Sequence, residues 1–187
     1  MIYFTSDTHF YHKNIIRYCS RPFGDVQHMN SELIRKWNEK IKPEDQVYHL
    51  GDFAFCGTGR ALETLSALNG EIFLIKGNHD QMSEVVRNQF TWIKDYYYLT
   101  IKNFFGMDRE YNAHIVLCHY PIESWDGMGH GTWHLHGHCH GSLKRNTFGK
   151  RLDIGVDCHD YEPLSFFEVK DIMDSRKFEQ TDGHKGR

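Results

Sequence analysis

The feature that most constrains this chain is a rhythm in its first half. An apolar run is followed by a small polar cluster, and then by a stretch of helical spacing. Ile72-Phe73-Leu74-Ile75 reads as a buried strand and leads to Gly77-Asn78-His79-Asp80. Residues 2–6 lead in the same way to Asp7-Thr8-His9, and residues 46–50 lead to Gly51-Asp52-Phe53. Between these runs, Met29, Leu33, Ile34, Trp37 and Ile41 form one stripe of a helix expected over 30–42. Asn30 or Ser31 is its expected cap, and Pro43 lies just past its end. Ala61, Leu62, Leu65 and Leu68 repeat the spacing over 60–69, closed by Asn69-Gly70. Strand, helix, strand, helix, strand implies βαβ units with parallel pairing. Such sheets collect functional groups beyond the carboxyl ends of their strands.

Short helices are also expected over 12–18 and 83–90. The second half is different. Strand-like runs over 96–102, 113–118, 133–135, 151–156 and 164–169 are separated by turns, so the whole reads as a mixed α/β domain. Loops over 103–112 and 124–132, the latter rich in Gly and Met, are expected to be mobile and to shape access. The domain is expected over 1–175, with a polar tail over 176–187.

Composition removes several classes of function. No apolar run approaches the roughly 18 residues of a membrane span. The chain opens directly on a strand-like run without a basic leader, so a cytoplasmic placement is expected. A formal charge of −3 gives no global drive toward nucleic acid or anionic lipid. The 5 cysteines are odd in number, scattered and free of a CxxC pair, which argues against a disulfide framework or a zinc ribbon. The 14 histidines are unusual, and they crowd from His114 to His140.

Cys118-His119 and Gly137-His138-Cys139-His140 complete a set of five polar clusters. Together they offer Asp7, His9, Asp52, Asn78, His119, His138 and His140 as ligands: two carboxylates, one amide oxygen and four imidazoles. A mononuclear zinc site needs only three or four ligands, so this set fits two ions with one carboxylate between them. Asp52, directly after a glycine at a strand end, is the candidate bridge. Residues two apart on extended backbone point the same way, which would pair Asp7 with His9 and His138 with His140. Cys139 would then point away. Nitrogen and oxygen ligation without thiolate suits manganese first, with iron, zinc or nickel as alternatives. Two such ions clamp a phosphoryl group and turn water into a nucleophile. His79 is the candidate catalytic acid, assisting departure of the leaving oxygen. Asp80 is expected to cap the next helix. His12, Arg17, Lys144 and Arg145 are candidates for contacts with substrate.

These five ordered clusters resemble the calcineurin-like metallophosphoesterase superfamily, whose pattern is DxH, GD, GNH with D or E, a lone H, and GHxH. The wording around 9–16 and 48–53 looks like its small bacterial and phage members. The resemblance implies a four-layer α/β/β/α sandwich of two mixed sheets flanked by helices. It implies one ion on Asp7, His9, Asp52 and His140, and another on Asp52, Asn78, His119 and His138. It also implies a phosphatase or phosphodiesterase acting on a small-molecule phosphoester, with His79 catalytic. A nuclease, or a non-catalytic scaffold on the same fold, is the alternative.

Overall fold

The computed structural model describes residues 1–102, 112–144 and 149–177. Its elements run β1 (Ile2–Thr5), α1 (Lys13–Tyr18), α2 (Val26–Lys40), β2 (Gln46–His49), α3 (Thr58–Ala67), β3 (Glu71–Ile75), α4 (Glu84–Arg87), β4 (Trp92–Lys94), β5 (Tyr96–Lys102), β6 (Asn112–Cys118), β7 (Trp133–His136), β8 (Arg151–Asp153), β9 (Leu164–Ser165) and α5 (Phe166–Ser175). They form two mixed sheets, a five-stranded one ordered β4-β3-β2-β1-β9 and a four-stranded one ordered β5-β6-β7-β8. β1, β2, β3 and β4 pair in parallel, and β9 joins β1 antiparallel. In the second sheet β5 pairs antiparallel with β6, and β6, β7 and β8 run in parallel.

Period-2 alternation decides which face each residue serves. On β3, Phe73 and Ile75 turn into a core shared with Leu99, Ile115, Leu117 and Leu135 of the other sheet. Their neighbours Ile72 and Leu74 turn the opposite way, onto Leu33 and Trp37 of α2 and Ala61 of α3. The first sheet is therefore buried on both faces, which is why its strands read as nearly continuous apolar runs. Helices α2 and α3 cover its outer side, and α5 adds Phe166, Val169 and Met173 to the core between the sheets. Among the described residues, no helix is long and apolar enough to cross a membrane.

Several expectations need correction. Helix α2 begins at Val26, and its cap is Asp25, whose side chain accepts from the His28 N–H; Asn30 and Ser31 lie inside the helix. The 164–169 segment is a strand for two residues only. Ser165 then caps α5 in a capping box with Glu168, and this local bonding outcompetes the β-like apolar run. The 151–156 run ends as a strand at Asp153, and Val156 opens a short 3-10 turn. Strand β4 is too short to stand out in the sequence.

The 124–132 segment is built around contacts of its own. Trp125 and Met128 bury against Val116, and Trp125 Nε1 donates to the Thr132 carbonyl at 2.9 Å. Arg145, the 103–111 part of the other expected loop, and the tail from 178 onward lie outside the described residues. All five cysteines are free thiols.

Candidate metal centre

Strands β1, β2 and β3 end side by side, as parallel neighbours must, and their polar clusters arrive together. His119 follows β6, while His138 and His140 follow β7, so the second sheet supplies the rest. The backbone at these positions is strained. Asp7 (φ 57°), His9 (49°), Asp52 (55°), His138 (70°) and His140 (47°) all occupy the left-handed region. Each such non-glycine residue costs roughly 1–2 kcal/mol. Five in one place mark a site that the surrounding fold over-determines.

The strain also revises the spacing argument. Asp7 and His9 share a group, but through two left-handed residues and not through extended backbone. His138 and His140 do not share one. Asp7, His9 and His140 converge in one cluster, and Asp52, His119 and His138 converge in another. Asp52 stands between the two, with Oδ2 lying 3.5 Å from His9 Nε2 and 3.6 Å from His119 Nε2. Its Oδ1 accepts the His79 backbone N–H at 2.8 Å.

The donor chemistry fits cations. His119 Nδ1 lies 2.7 Å from the Leu50 carbonyl, which can only accept, so the ring proton sits on Nδ1 and the lone pair on Nε2. That lone pair faces Asn78 Oδ1 at 3.1 Å and Asp52 Oδ2 at 3.6 Å. The same amide oxygen lies 2.9 Å from His138 Nδ1. His9 Nε2 is buried and has no hydrogen-bond partner. Converging acceptors of this kind repel one another unless positive charge lies among them.

The titration behaviour agrees. Burial pushes the Asp7 carboxyl up to about 8, with the neighbouring His140 pulling the other way. Burial holds His9 down to about 2, helped by the positive charge of His140 and Arg21. Burial also opposes charge on His140. There it is outweighed by the bond to Asp157, a contact with Cys19 and the charge of Asp7, which together raise it to about 10. Burial thus leaves the Asp7 carboxylate short of compensating positive charge, a deficit that a divalent cation would fill.

Two glycines make room for this packing. The glycine of Gly77-Asn78-His79-Asp80 does not occupy the left-handed region. It is needed for closeness, because a Cβ there would strike the Asp52 carboxylate and lie 2.5 Å from the Asp52 nitrogen. A Cβ on Gly137 would strike Ser6 Oγ and Asp7 Oδ2. Gly137→Ala is therefore expected to cost about 1–3 kcal/mol of stability by overpacking. It should also weaken metal binding. Thermal unfolding and metal content check this, and a variant with unchanged values would show that Asp7 tolerates displacement.

Asp80 does not cap a helix, since α4 starts later, after Ser83. It is buried and accepts three backbone N–H groups, from Asp52 (2.8 Å), Phe53 (2.9 Å) and Gly77 (2.8 Å). This carboxylate locks the loop after β2 to the loop after β3, and burial raises its pKa against the pull of those bonds.

The substrate-side candidates separate. His12 lies 3.3 Å from His9, Nδ1 to Nδ1, and its ring stacks on Phe55 with centroids 4.6 Å apart. Both line a cavity of about 370 Å³ with Tyr18, His79 and five of the candidate ligands, His9, Asp52, Asn78, His138 and His140. A neighbouring cavity of about 480 Å³ shares Phe55, Asn78 and His79 with it and continues to Gln81. Arg17 is exposed and sits 5.4 Å over the Tyr18 ring, outside the residues that line either cavity. Lys144 lines a different cavity, together with Cys139 and Arg151, so Cys139 does turn away from the ligands.

Sequence reasoning missed Arg21 and Asp157. Arg21 forks onto Asp157 through Nε and Nη2, both at 2.8 Å, and Asp157 Oδ2 lies 2.7 Å from His140 Nδ1. Arg21 stands beside Pro22 in the sequence, and its partner is 136 residues away. No local pattern joins the two.

Comparison with known proteins agrees with this geometry. A family model described as calcineurin-like phosphoesterase matches residues 1–173. An uncharacterized protein of Methanocaldococcus jannaschii is 35% identical over 188 aligned residues, covering 96% of this chain and 95% of that protein. The gene 66 protein of Mycobacterium phage D29 is 27% identical, covering 92% of this chain and 95% of its own. The crystal structure of a protein of unknown function from Aquifex aeolicus superposes with a TM-score of 0.69 at 29% identity, covering 92% of this chain and 98% of that one. With the family model spanning nearly the whole chain and its motifs gathered at one site, this chain belongs to the calcineurin-like phosphoesterase family.

Proposed function

We propose that the chain hydrolyses a phosphomonoester or phosphodiester with the help of two divalent cations. The observation that carries this reading is Asp52 Oδ2, which lies 3.5 Å from His9 Nε2 and 3.6 Å from His119 Nε2, with a ligand cluster on either side. Asp7, His9, Asp52 and His140 would hold one ion, and Asp52, Asn78, His119 and His138 the other. Manganese is the first candidate, with iron, zinc or nickel as alternatives. Bound cations supply Lewis acidity toward phosphoryl oxygens and lower the pKa of water.

The remaining work falls to the chain. Asp80 fixes the two loops so that Asp52 and Asn78 keep their places. His79 is exposed on the wall of the cavity, with its ring centroid 5.6 Å from that of His9. As a water oxygen bonds to phosphorus, losing its proton to solvent, and the phosphorus–oxygen ester bond breaks, a ring nitrogen of His79 gives its proton to the leaving oxygen and later regains one from solvent. A cleft of this size, on a mildly acidic chain, supports a small-molecule phosphoester over nucleic acid. The complete ligand set argues against a scaffold.

The test is hydrolysis of an aryl phosphomonoester and the matching diester by metal-stripped protein, with Mn²⁺, Ni²⁺, Zn²⁺ or Mg²⁺ returned in turn. Metal-dependent turnover is expected, and its ratio between the two esters names the substrate class. Bound metal without turnover of either ester would count against the hydrolase reading and for a scaffold. His79→Ala is expected to lower turnover about 10²–10⁴-fold while both ions stay bound. Loss of metal in that variant would contradict its assignment as the acid.

A further inference from the structure

We propose that Arg21 and Asp157 are positioning residues that set the affinity of the Asp7–His9–His140 half of the site alone. The inference rests on the dinuclear reading above. Arg21 has a fully buried side chain, and that of Asp157 is only 5% exposed. The guanidinium makes two parallel bonds to Asp157, each 2.8 Å long. It also donates through Nη2 to the Asp7 carbonyl at 2.7 Å and through Nη1 to the Thr8 carbonyl at 3.0 Å. One planar cation therefore ties the strained backbone carrying Asp7 and His9 to the carboxylate that holds His140. No ammonium group offers that fork.

The bond from His140 Nδ1 to Asp157 Oδ2, 2.7 Å long, fixes the ring with a proton on Nδ1, so that Nε2 is the nitrogen a cation would take. A carboxylate behind a ligating histidine raises its basicity and fixes its tautomer. The other half is built differently. His119 Nδ1 is backed by the neutral Leu50 carbonyl at 2.7 Å. The two halves thus differ in what stands behind His140 and His119, a carboxylate in one and a neutral carbonyl in the other.

The test is calorimetric titration of metal-stripped protein with Mn²⁺, comparing wild type with Asp157→Asn, which keeps the shape and removes the charge. Wild type is expected to bind two ions. Asp157→Asn should bind one with unchanged affinity and the other about 10–100-fold more weakly. Arg21→Lys keeps the charge but loses the fork and should weaken the same ion. If thermal unfolding shows that metal-stripped Asp157→Asn is not folded, Arg21→Lys decides the question. Equal weakening of both ions, or of neither, overturns the inference while the dinuclear reading stands. Fewer than two ions on wild type overturns both.

Discussion

Asp52→Asn is expected to lower turnover by about 10³-fold, corresponding to roughly 4 kcal/mol of lost transition-state stabilisation. It should also reduce bound metal below two ions per chain. The substitution preserves volume and can still accept the His79 N–H, a bond now 2.8 Å long. It removes the negative charge between His9 Nε2 and His119 Nε2, 3.5 and 3.6 Å away. That side chain is only 3% exposed, so water cannot replace the lost charge. Turnover of the aryl ester and elemental analysis together check this. The contrast with His79→Ala is diagnostic: one variant should lose metal and turnover, the other turnover alone. Retention of both ions by Asp52→Asn would show that the carboxylate does not bridge. Groups that act as a unit are not additive, so a double variant is not expected to lose the product of the two factors.

The second large effect is on stability. Asp80→Ala would leave the buried N–H groups of Asp52, Phe53 and Gly77 without their acceptor. Each unsatisfied buried donor costs about 1–3 kcal/mol, so a loss of at least about 3 kcal/mol is expected. For a chain of this size that lowers Tm by roughly 6–12 °C. Asp80→Asn should fall between, since its amide oxygen still accepts while its NH₂ faces donors. Thermal unfolding of metal-stripped protein checks both variants. A change under about 1 kcal/mol in Asp80→Ala would mean that the loops re-satisfy those groups on their own.

The sequence made the first sheet legible because burial on both faces turns its strands into plain apolar runs. Ile72–Ile75 is such a run, with a glycine cluster just beyond it. The candidate ligands stood out because metal chemistry demands particular residue types where those strands stop, and six of the seven fall into two clusters. Their division into clusters was not readable from spacing, since His138 and His140 lie in left-handed turns that send neighbouring imidazoles to different clusters. Asp80 was misjudged because aspartate before a helix ordinarily caps it, and only the fold brings Asp52 and Phe53 into reach. The strand expected over 164–169 was a failure of a different kind. The Ser165–Glu168 capping box was visible in the residues, and it should have outweighed the apolar run. Arg21 and Asp157 had no local signature at all.

The division of ligands between the two sheets has a consequence for how the protein is made. Asp7, His9, Asp52 and Asn78 follow the first three strands, while His119, His138 and His140 come from the second half. Each cluster contains at least one late residue, His140 in one and His119 with His138 in the other. A chain emerging from the ribosome through Asn78 holds four of the seven groups, yet neither cluster can close. Closure waits until residue 138 for one cluster and residue 140 for the other, and until the sheets have docked, bringing the His138 N–H to Asp7 across 131 residues of sequence. On the dinuclear reading, metal loading would follow assembly of the fold, since a half-made chain holds neither cluster complete.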